Sequence, residues 1–420
     1  MGMTISEKIL ARAAGVGSTK AGDILWVKVH TAMMDDILGP RVEIAEKLKE
    51  LGTDIWNKDR VVVISDHYTP PANAKQAEIV KFTRDWAKEY GVENYYEFVG
   101  PCHQVMVENG HVLPGKVIVG TDSHTCMYGA LGAFATGIGS TEMLGVLVTG
   151  EIWLKVPETI KVVWEGSLKE GVMAKDLILK TIGVIGHAGA TYKAVEHVGS
   201  TIDNMIMDER MAVCNMAVEM GAKAGIIPPD SKTVEYLRER GITEEFEIFT
   251  ADDDAQYCQT LNFKAADLDP VVACPHEVDN VTEIKNVQGV KIDQAYLGSC
   301  TGGRYNDLLQ AANILKGKKV KKGTRLLVSP ASKEVWDRCA KDGILQTISE
   351  AGGIILAPSC GACLGIHSGV LAPGERCISA TNRNFLGRMG SKESEVYLAS
   401  PLSVAAAAIE GKIIDPRNYL

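Results

Sequence analysis

No apolar run in this chain is long enough to span a membrane, and its beginning does not have the charged, apolar and small-residue order of a secretory signal, so the expected setting is the cytoplasm, with no membrane partner. Positive charge is not in excess either: 44 Lys and Arg stand against 53 Asp and Glu, a net charge of −9, and aromatic residues make up only 6%. Nucleic acid is disfavoured as a partner, because it asks for a basic surface with interleaved aromatics; a local basic pocket for a small acid is compatible with the same totals. No Gly-x-x-x-x-Gly-Lys-Ser/Thr occurs, and Gly137-Ile-Gly139-Ser-Thr-Glu142 lacks the third glycine of a dinucleotide fingerprint, so the Gly/Ala-rich stretch 129–145 reads as close helix packing and not as a phosphate loop. The ten cysteines follow no repeating framework, which points to free thiols in a reducing compartment.

Among those cysteines one arrangement has a narrow chemical meaning. Pro358-Ser359-Cys360-Gly361-Ala362-Cys363 places two thiols on one tight turn, compatible with a zinc half-site, a redox dithiol or an iron–sulfur ligand pair. A structural zinc site wants four protein ligands, and the chain has no second Cys-x-x-Cys and no His-x-x-x-His. Cys300, in the small-residue turn Gly298-Ser299-Cys300-Thr301, is a third candidate ligand. A [4Fe–4S] cluster normally takes four thiolates; held by three, it would leave one iron free to act as a Lewis acid.

At 420 residues the chain exceeds what one core usually supports, so two or three domains are expected, with composition shifts near Val156-Pro157 and between Asp279 and Val287. Arg60-Val-Val-Val-Ile-Ser65 reads as a buried parallel strand. Asn73 to Tyr90 reads as a helix capped by Asn73 and closed by Gly91, with Ile79, Phe82, Trp86 and Tyr90 on one face. Strand followed by helix, repeated, predicts an α/β fold with mainly parallel sheets. Apolar runs end in Asp66-His67, Asp122-Ser123-His124, Cys300, Cys360 and Asn382-Arg383, and ligands of open parallel sheets bind beyond the strand carboxyl ends, so these runs predict one shared cleft.

Asn215 and Glu219 stand four apart in the helical pattern 211–220, which places them on one face; a carboxylate among so many apolar residues is either paired or functional. His67, His103 and His124 each lie beside a polar partner, as general acid/base work near neutrality requires. Arg383 and Arg388 offer guanidinium forks suited to carboxylates or phosphates. The adjacent acids Asp35-Asp36, before a Gly-Pro break, read as a favourably charged helix start. Taken together, these groups suit dehydration of a hydroxy acid, whose leaving group is poor and whose C–H bond is weakly acidic.

Asp66-His67, Cys102-His103-Gln104, Gly120-Thr-Asp122-Ser123-His124-Thr125, Cys214-Asn215-Met216 with Glu219, Ser299-Cys300-Thr301, Cys360-Gly-Ala-Cys363 and Asn382-Arg383-Asn384-Phe385 with Arg388 resemble the motifs of the aconitase superfamily, in particular the large subunit of its isopropylmalate, homoaconitate and 2,3-dimethylmalate dehydratase branch. The resemblance covers nearly the whole chain. It implies three α/β domains, 1–155, 156–286 and 287–420, around a central [4Fe–4S] cluster, one per large subunit, held by Cys300, Cys360 and Cys363 with one iron not ligated by protein. Asp66, His67, His103, Asp122, His124 and Glu219 would move protons, Ser123, Arg383 and Arg388 would meet the substrate, and Asn215 and Asn382 would lie beside the cluster.

Two positions depart from the pattern. Gly302 stands where relatives often have an asparagine, and Asp35 where they often have a histidine. Single-chain members carry a further swivelling domain with the serine base, for which the sequence up to Leu420 leaves no room; the resemblance therefore implies a separate small subunit supplying that serine. The implied substrate is a small hydroxy dicarboxylic acid, an alkyl-substituted malate such as 2,3-dimethylmalate or 3-isopropylmalate. Homoaconitase or citramalate dehydratase activity, a non-catalytic metal-sensing regulator and a Cys360/Cys363 redox dithiol are the alternatives.

Overall fold

The computed structural model describes residues 2–420 and arranges them on four sheets, in two compact units. The first unit comprises the chain up to Glu97, Cys102–Glu165 and Ala190–Phe263; the second comprises Phe98–Pro101, Gly166–Gly189 and Lys264–Leu420. The three larger sheets draw their strands from separate stretches of chain, 31–137, 159–264 and 271–399. No helix among the described residues is long and apolar enough to cross a membrane.

In the first unit the five-stranded sheet has the order Tyr95–Glu97, Val61–Ser65, Thr31–Asp35, Val117–Gly120, Phe134–Gly137, parallel throughout. Thr31–Asp35, Val61–Ser65 and Val117–Gly120 are buried at every residue. Central parallel strands are covered on both faces, so their sequences run apolar without alternation. The same parallel order brings three strand ends, Asp35-Asp36, Asp66-His67 and Thr121-Asp122, to one edge of the sheet. A second sheet runs Ala224–Ile226, Ala194–Val198, Thr159–Glu165, Gln259–Lys264, and a two-stranded ribbon pairs Ile24–Lys28 with Glu151–Lys155.

Helix Ile5–Ala14 starts in a capping box between Thr4 and Glu7 and buries Ile5, Ile9 and Leu10 in the core with Val61, Val63 and Phe134. Helix Ala74–Tyr90 begins at Asn73, whose side chain accepts from the Gln76 N–H at 3.1 Å, and closes at left-handed Gly91. Its inward face is Val80, Thr83, Trp86 and Ala87, while Phe82 is exposed. Of the expected face, Trp86 is buried and Ile79 and Tyr90 are half-buried, while the Phe82 ring lies outside. The stretch 129–145 is close-packed, though at Gly129 against a strand and not a helix: a Cβ there would lie 1.7 Å from the Gly225 carbonyl oxygen.

The second unit is built on a seven-stranded sheet, Val281–Glu283, Val271–Ala273, Glu395–Ala399, Arg376–Ser379, Gln294–Leu297, Arg325–Val328, Ile354–Ile355, parallel from Glu395–Ala399 onward. Its core joins Leu297, Val328 and Ile378 to Leu308, Ala311 and Leu315 of helix Tyr305–Leu315 and to Val404, Ala405 and Ala408 of helix Pro401–Glu410. Gln294–Leu297 leads into the Cys300 loop and its neighbour Arg376–Ser379 into Asn382-Arg383, so these two chemically marked loops leave the same sheet edge.

Candidate active site

At the sheet edge of the first unit, imidazoles and carboxylates satisfy one another. His67 Nδ1 lies 2.7 Å from Asp66 Oδ1 and 3.2 Å from Asp36 Oδ1, and its Nε2 is 3.8 Å from Asp122 Oδ2. Asp122 Oδ1 meets His103 Nε2 at 2.9 Å and His124 Nδ1 at 3.3 Å, and accepts from the His124 N–H at 2.7 Å. His124 Nε2 lies 2.8 Å from Glu219 Oε1. Asp122 is thus the hub of three imidazoles, with Asp66, Asp36 and Glu219 as the outer carboxylates.

Burial opposes charge on Asp122, yet the His103 imidazole and the bonds from His103 and His124 prevail and hold its carboxyl well below the usual range. Burial likewise pushes Asp66 up, but the His67 charge and hydrogen bond and the Cys102 N–H, 2.6 Å from Oδ2, leave it lowered. Asp35 goes the other way. Burial raises its carboxyl, His67 opposes this, and Asp122 and Asp66 add to the rise.

The acids at 35 and 36 are not a charged helix start. Asp35 ends a buried strand and Asp36 is wholly buried; Asp36 accepts from the His67 and Tyr68 N–H groups at 3.1 and 3.0 Å, and Asp35 from Thr121 Oγ1 at 2.6 Å. Asp36 turns back onto the histidine strand end, whereas Asp35 Oδ1 caps its own turn, accepting from the Ile37 and Leu38 N–H groups at 2.6 and 2.8 Å. Asp36 is therefore a member of the imidazole network that local charge patterning missed; two adjacent acids following an apolar run that ends at a sheet edge were the available signal. Asn215 and Glu219 also differ from a continuous helix: Asn215 ends helix Met207–Asn215 and Glu219 lies in the 3-10 turn Met216–Met220 that follows. The tighter turn accompanies the Glu219 bond to His124, and Asn215 is fully buried with its carbonyl accepting from Cys126 Sγ at 3.4 Å. Ser123 starts the 3-10 run Ser123–Leu131 and is half-buried.

In the second unit the chemistry is sulfur, held at Cys300 by neutral groups. Cys300 is buried in the short helix Ser299–Gly302; its Sγ accepts from Asn382 Nδ2 at 3.6 Å and lies 3.8 Å from Ser299 Oγ. Ser299 has φ 70, a left-handed conformation that costs a non-glycine residue roughly 1 kcal/mol or more. Its hydroxyl bonds Asn382 Oδ1 at 2.7 Å. Cys360 and Cys363 flank a 3-10 turn closed by the Cys363 N–H to the Cys360 carbonyl at 2.9 Å. Gly361 and Gly365 adopt φ 35 and 67, and at Gly365 the Arg388 carbonyl approaches to 2.9 Å of where a Cβ would stand. Burial raises the Tyr296 phenol. Gly302 fits its place for a steric reason: a Cβ would meet the Ala380 Cβ at 2.3 Å and carbonyl oxygen at 2.6 Å.

All ten cysteines are thiols rather than disulfides. Three of them, on two loops of one unit, with an amide donating to the Cys300 sulfur and glycines clearing the backbone, make a donor set that suits a thiolate-ligated iron–sulfur group. In the same unit the Arg383 guanidinium lies 5.9 Å from the Phe385 ring, and Arg388 Nε is buried with no hydrogen-bond partner among the described residues. Asn384, which follows the guanidinium, is spent on structure, donating to the Cys274 carbonyl at 2.8 Å.

A model of the aconitase family (aconitate hydratase) matches residues 7–288 and 285–411. The 3-isopropylmalate dehydratase large subunit 1 of Methanopyrus kandleri is 51% identical over 422 residues, covering 100% of both chains. The "Probable methanogen homoaconitase large subunit" of Methanothermobacter thermautotrophicus is 47% identical over 420 residues, 99% of this chain and 98% of that one. Among solved structures, the holo-form of Thermococcus kodakaraensis aconitase X matches with a TM-score of 0.50 at 13% identity, covering 86% of this chain and 84% of that one, a likeness of fold. On the family match, the full-length identity and the α/β architecture with mainly parallel sheets, the chain belongs to the aconitase family, as a large-subunit hydro-lyase.

Proposed function

We propose that this chain dehydrates an alkyl-substituted malate, 3-isopropylmalate or 2,3-dimethylmalate, as the large subunit of a two-chain enzyme. The observation that carries the proposal is Asp122, one lowered carboxylate shared by His67, His103 and His124. A fixed negative charge beside three imidazoles lets a proton move among ring nitrogens at little cost. Glu219 at His124 Nε2, and Asp66 and Asp36 at His67 Nδ1, orient the outer rings.

Bound at Cys300, Cys360 and Cys363, a [4Fe–4S] cluster would supply Lewis acidity from the one iron without a protein ligand. This chain's own residues do the rest of the binding and proton handling. Arg383 and Arg388 clamp the substrate carboxylates, Ser123 adds a hydroxyl, and Asn215 and Asn382 stand at the metal-facing groups. The imidazole network delivers a proton to the departing hydroxide. The β-proton is taken by a serine of the separate small subunit, so the large chain alone is inactive. Return of water at the neighbouring carbon would make the pair an isomerase. The cytoplasm suits the ten free thiols.

A second reading, homoaconitase, has support from a relative of that name at 47% identity, close to the 51% of the isopropylmalate relative. The deciding experiment pairs the anaerobically reconstituted large chain with its small subunit and assays 3-isopropylmalate, 2,3-dimethylmalate, citramalate and homocitrate. Turnover fastest on an alkyl-substituted malate is expected; preference for homocitrate would move the assignment to the second reading. A colourless, iron-free chain, or full activity without the small subunit, would defeat the proposal.

A further inference from the structure

Helix Ala174–Ile185 of the second unit carries a lysine where two physical effects oppose one. Lys175 is only 2% exposed, and it sits in the first turn. Burial of an ammonium is costly, and a cation in the first turn meets the positive end of the helix dipole. Its Nζ donates to the Thr381 carbonyl at 2.7 Å, the Ala380 carbonyl at 3.3 Å and Thr301 Oγ1 at 3.4 Å, three oxygen acceptors for the three N–H bonds of an ammonium.

Those acceptors belong to the two loops that hold Cys300. Thr301 Oγ1 lies 2.8 Å from Asn382 Oδ1 and 3.1 Å from the Ala380 carbonyl. Asn382 Oδ1 also accepts from Ser299, and its Nδ2 donates to Cys300 Sγ. The amide is therefore oriented with its oxygen towards two hydroxyls and its nitrogen towards sulfur. Gly302 completes the arrangement, since the Ala380 carbonyl stands 2.6 Å from where a Cβ would be. The neighbouring Asp176 points elsewhere, accepting from the Met173 and Val271 N–H groups at 2.9 and 3.0 Å.

We propose that Lys175 is a positioning residue for the three-thiol site: it clamps the Cys300 and Asn382 loops together and sets a positive charge behind the Cys300 loop. The inference rests on the reading of Cys300, Cys360 and Cys363 as cluster ligands. Thiolates gathered at one group repel one another, and a cation behind the Cys300 loop offsets part of that repulsion and favours the more negative, reduced form of a bound cluster. Asn382 Nδ2, kept facing Cys300 Sγ by the Lys175–Thr301 bonds, tunes the same sulfur through a hydrogen bond.

The test compares wild type with Lys175→Met, Lys175→Arg and Thr301→Val, each reconstituted anaerobically with iron and sulfide. Iron per chain, iron release to a chelator, the reduction potential followed by visible absorbance, and melting of the apo chain are measured. Lys175→Met is expected to release iron at least tenfold faster and to show a lower potential; Lys175→Arg restores the potential. Thr301→Val, which keeps the charge and cuts the bridge, releases iron faster with a smaller fall in potential than Lys175→Met. Wild-type release rate and potential in Lys175→Met overturn the inference. If Lys175→Met fails to fold, a wild-type release rate in Thr301→Val overturns it instead. Should wild type itself take up no iron, the ligand reading falls, and hydrogen exchange of the apo chain decides the clamp. Faster exchange over 298–304 and 380–383 in Lys175→Met or Thr301→Val supports the clamp, and unchanged exchange removes it.

Discussion

The two units present their strand-end residues by opposite means. In the first, charged side chains close on one another: Asp122, His67, His103, His124 and Glu219 are linked by contacts of 2.8 to 3.8 Å. In the second, the Cys300 sulfur is met by neutral groups, Asn382 Nδ2 and Ser299 Oγ, and glycines stand at the turn of Cys360 and Cys363. A network of mutual ion pairs is poised to move protons as it stands. Thiols held by weak neutral donors keep their strong ligand capacity for another group. On the proposed function, the contrast sets proton transfer beside ligand binding, and substitutions can challenge each.

The largest effect is expected from Cys363→Ser in the second unit: anaerobic iron analysis should show loss of bound iron, and the reconstituted pair should lose all measurable activity. Hydrogen exchange of the first unit should stay as in wild type, and a wild-type iron content would refute the ligand role. Next comes Asp122→Asn. Removing the hub charge should lower kcat by roughly a thousandfold with iron content unchanged; a drop below tenfold would show that the three imidazoles work without it.

Acid should separate the units as well. His197, in strand Ala194–Val198 of the first unit, is fully buried, neither ring nitrogen has a hydrogen-bond partner among the described residues, and burial lowers it to about 4 from 6.5. The unfolded chain takes up this proton below about pH 6.5 and the folded chain only below about 4, so stability falls as pH drops through that window, by about 3 kcal/mol at most. Asp176, in the second unit, is raised by burial to about 6 from 3.8. The folded state holds that proton more tightly, so its contribution to stability grows as pH falls from about 6 to 3.8. Exchange measured from pH 7 to 4.5 should thus show Ala194–Val198 losing protection before Ala174–Ile185, and His197→Leu should flatten the response; the reverse order would contradict this account. The smallest effect is Arg388→Lys, which keeps charge and loses the planar fork. KM should rise roughly tenfold with kcat within a few-fold, the mirror image of Asp122→Asn.

Much of this was open to reading along the chain. The run ending at Ser65 became a fully buried parallel strand, and Asn73 and Gly91 bounded their helix, because backbone propensity and capping act over a few residues. On that helix Phe82 departs from the expected inner face and Trp86 keeps to it, since facing is set by whatever the helix packs on. The residues proposed to carry chemistry were visible as motifs at strand ends, where a parallel sheet puts them.

What the linear pattern determined, then, was which residue types stand at the ends of which strands. Partnership was decided by the tertiary structure alone. Glu219 reaches His124 across 95 positions, Asp36 reaches His67 across 31, and Lys175 reaches Thr381 across 206. Charge patterning made Asp36 a helix start and passed over Lys175. The cause is physical: the energy of a buried charge depends on the few atoms around it, and sheet register and loop closure, not neighbours in sequence, choose those atoms.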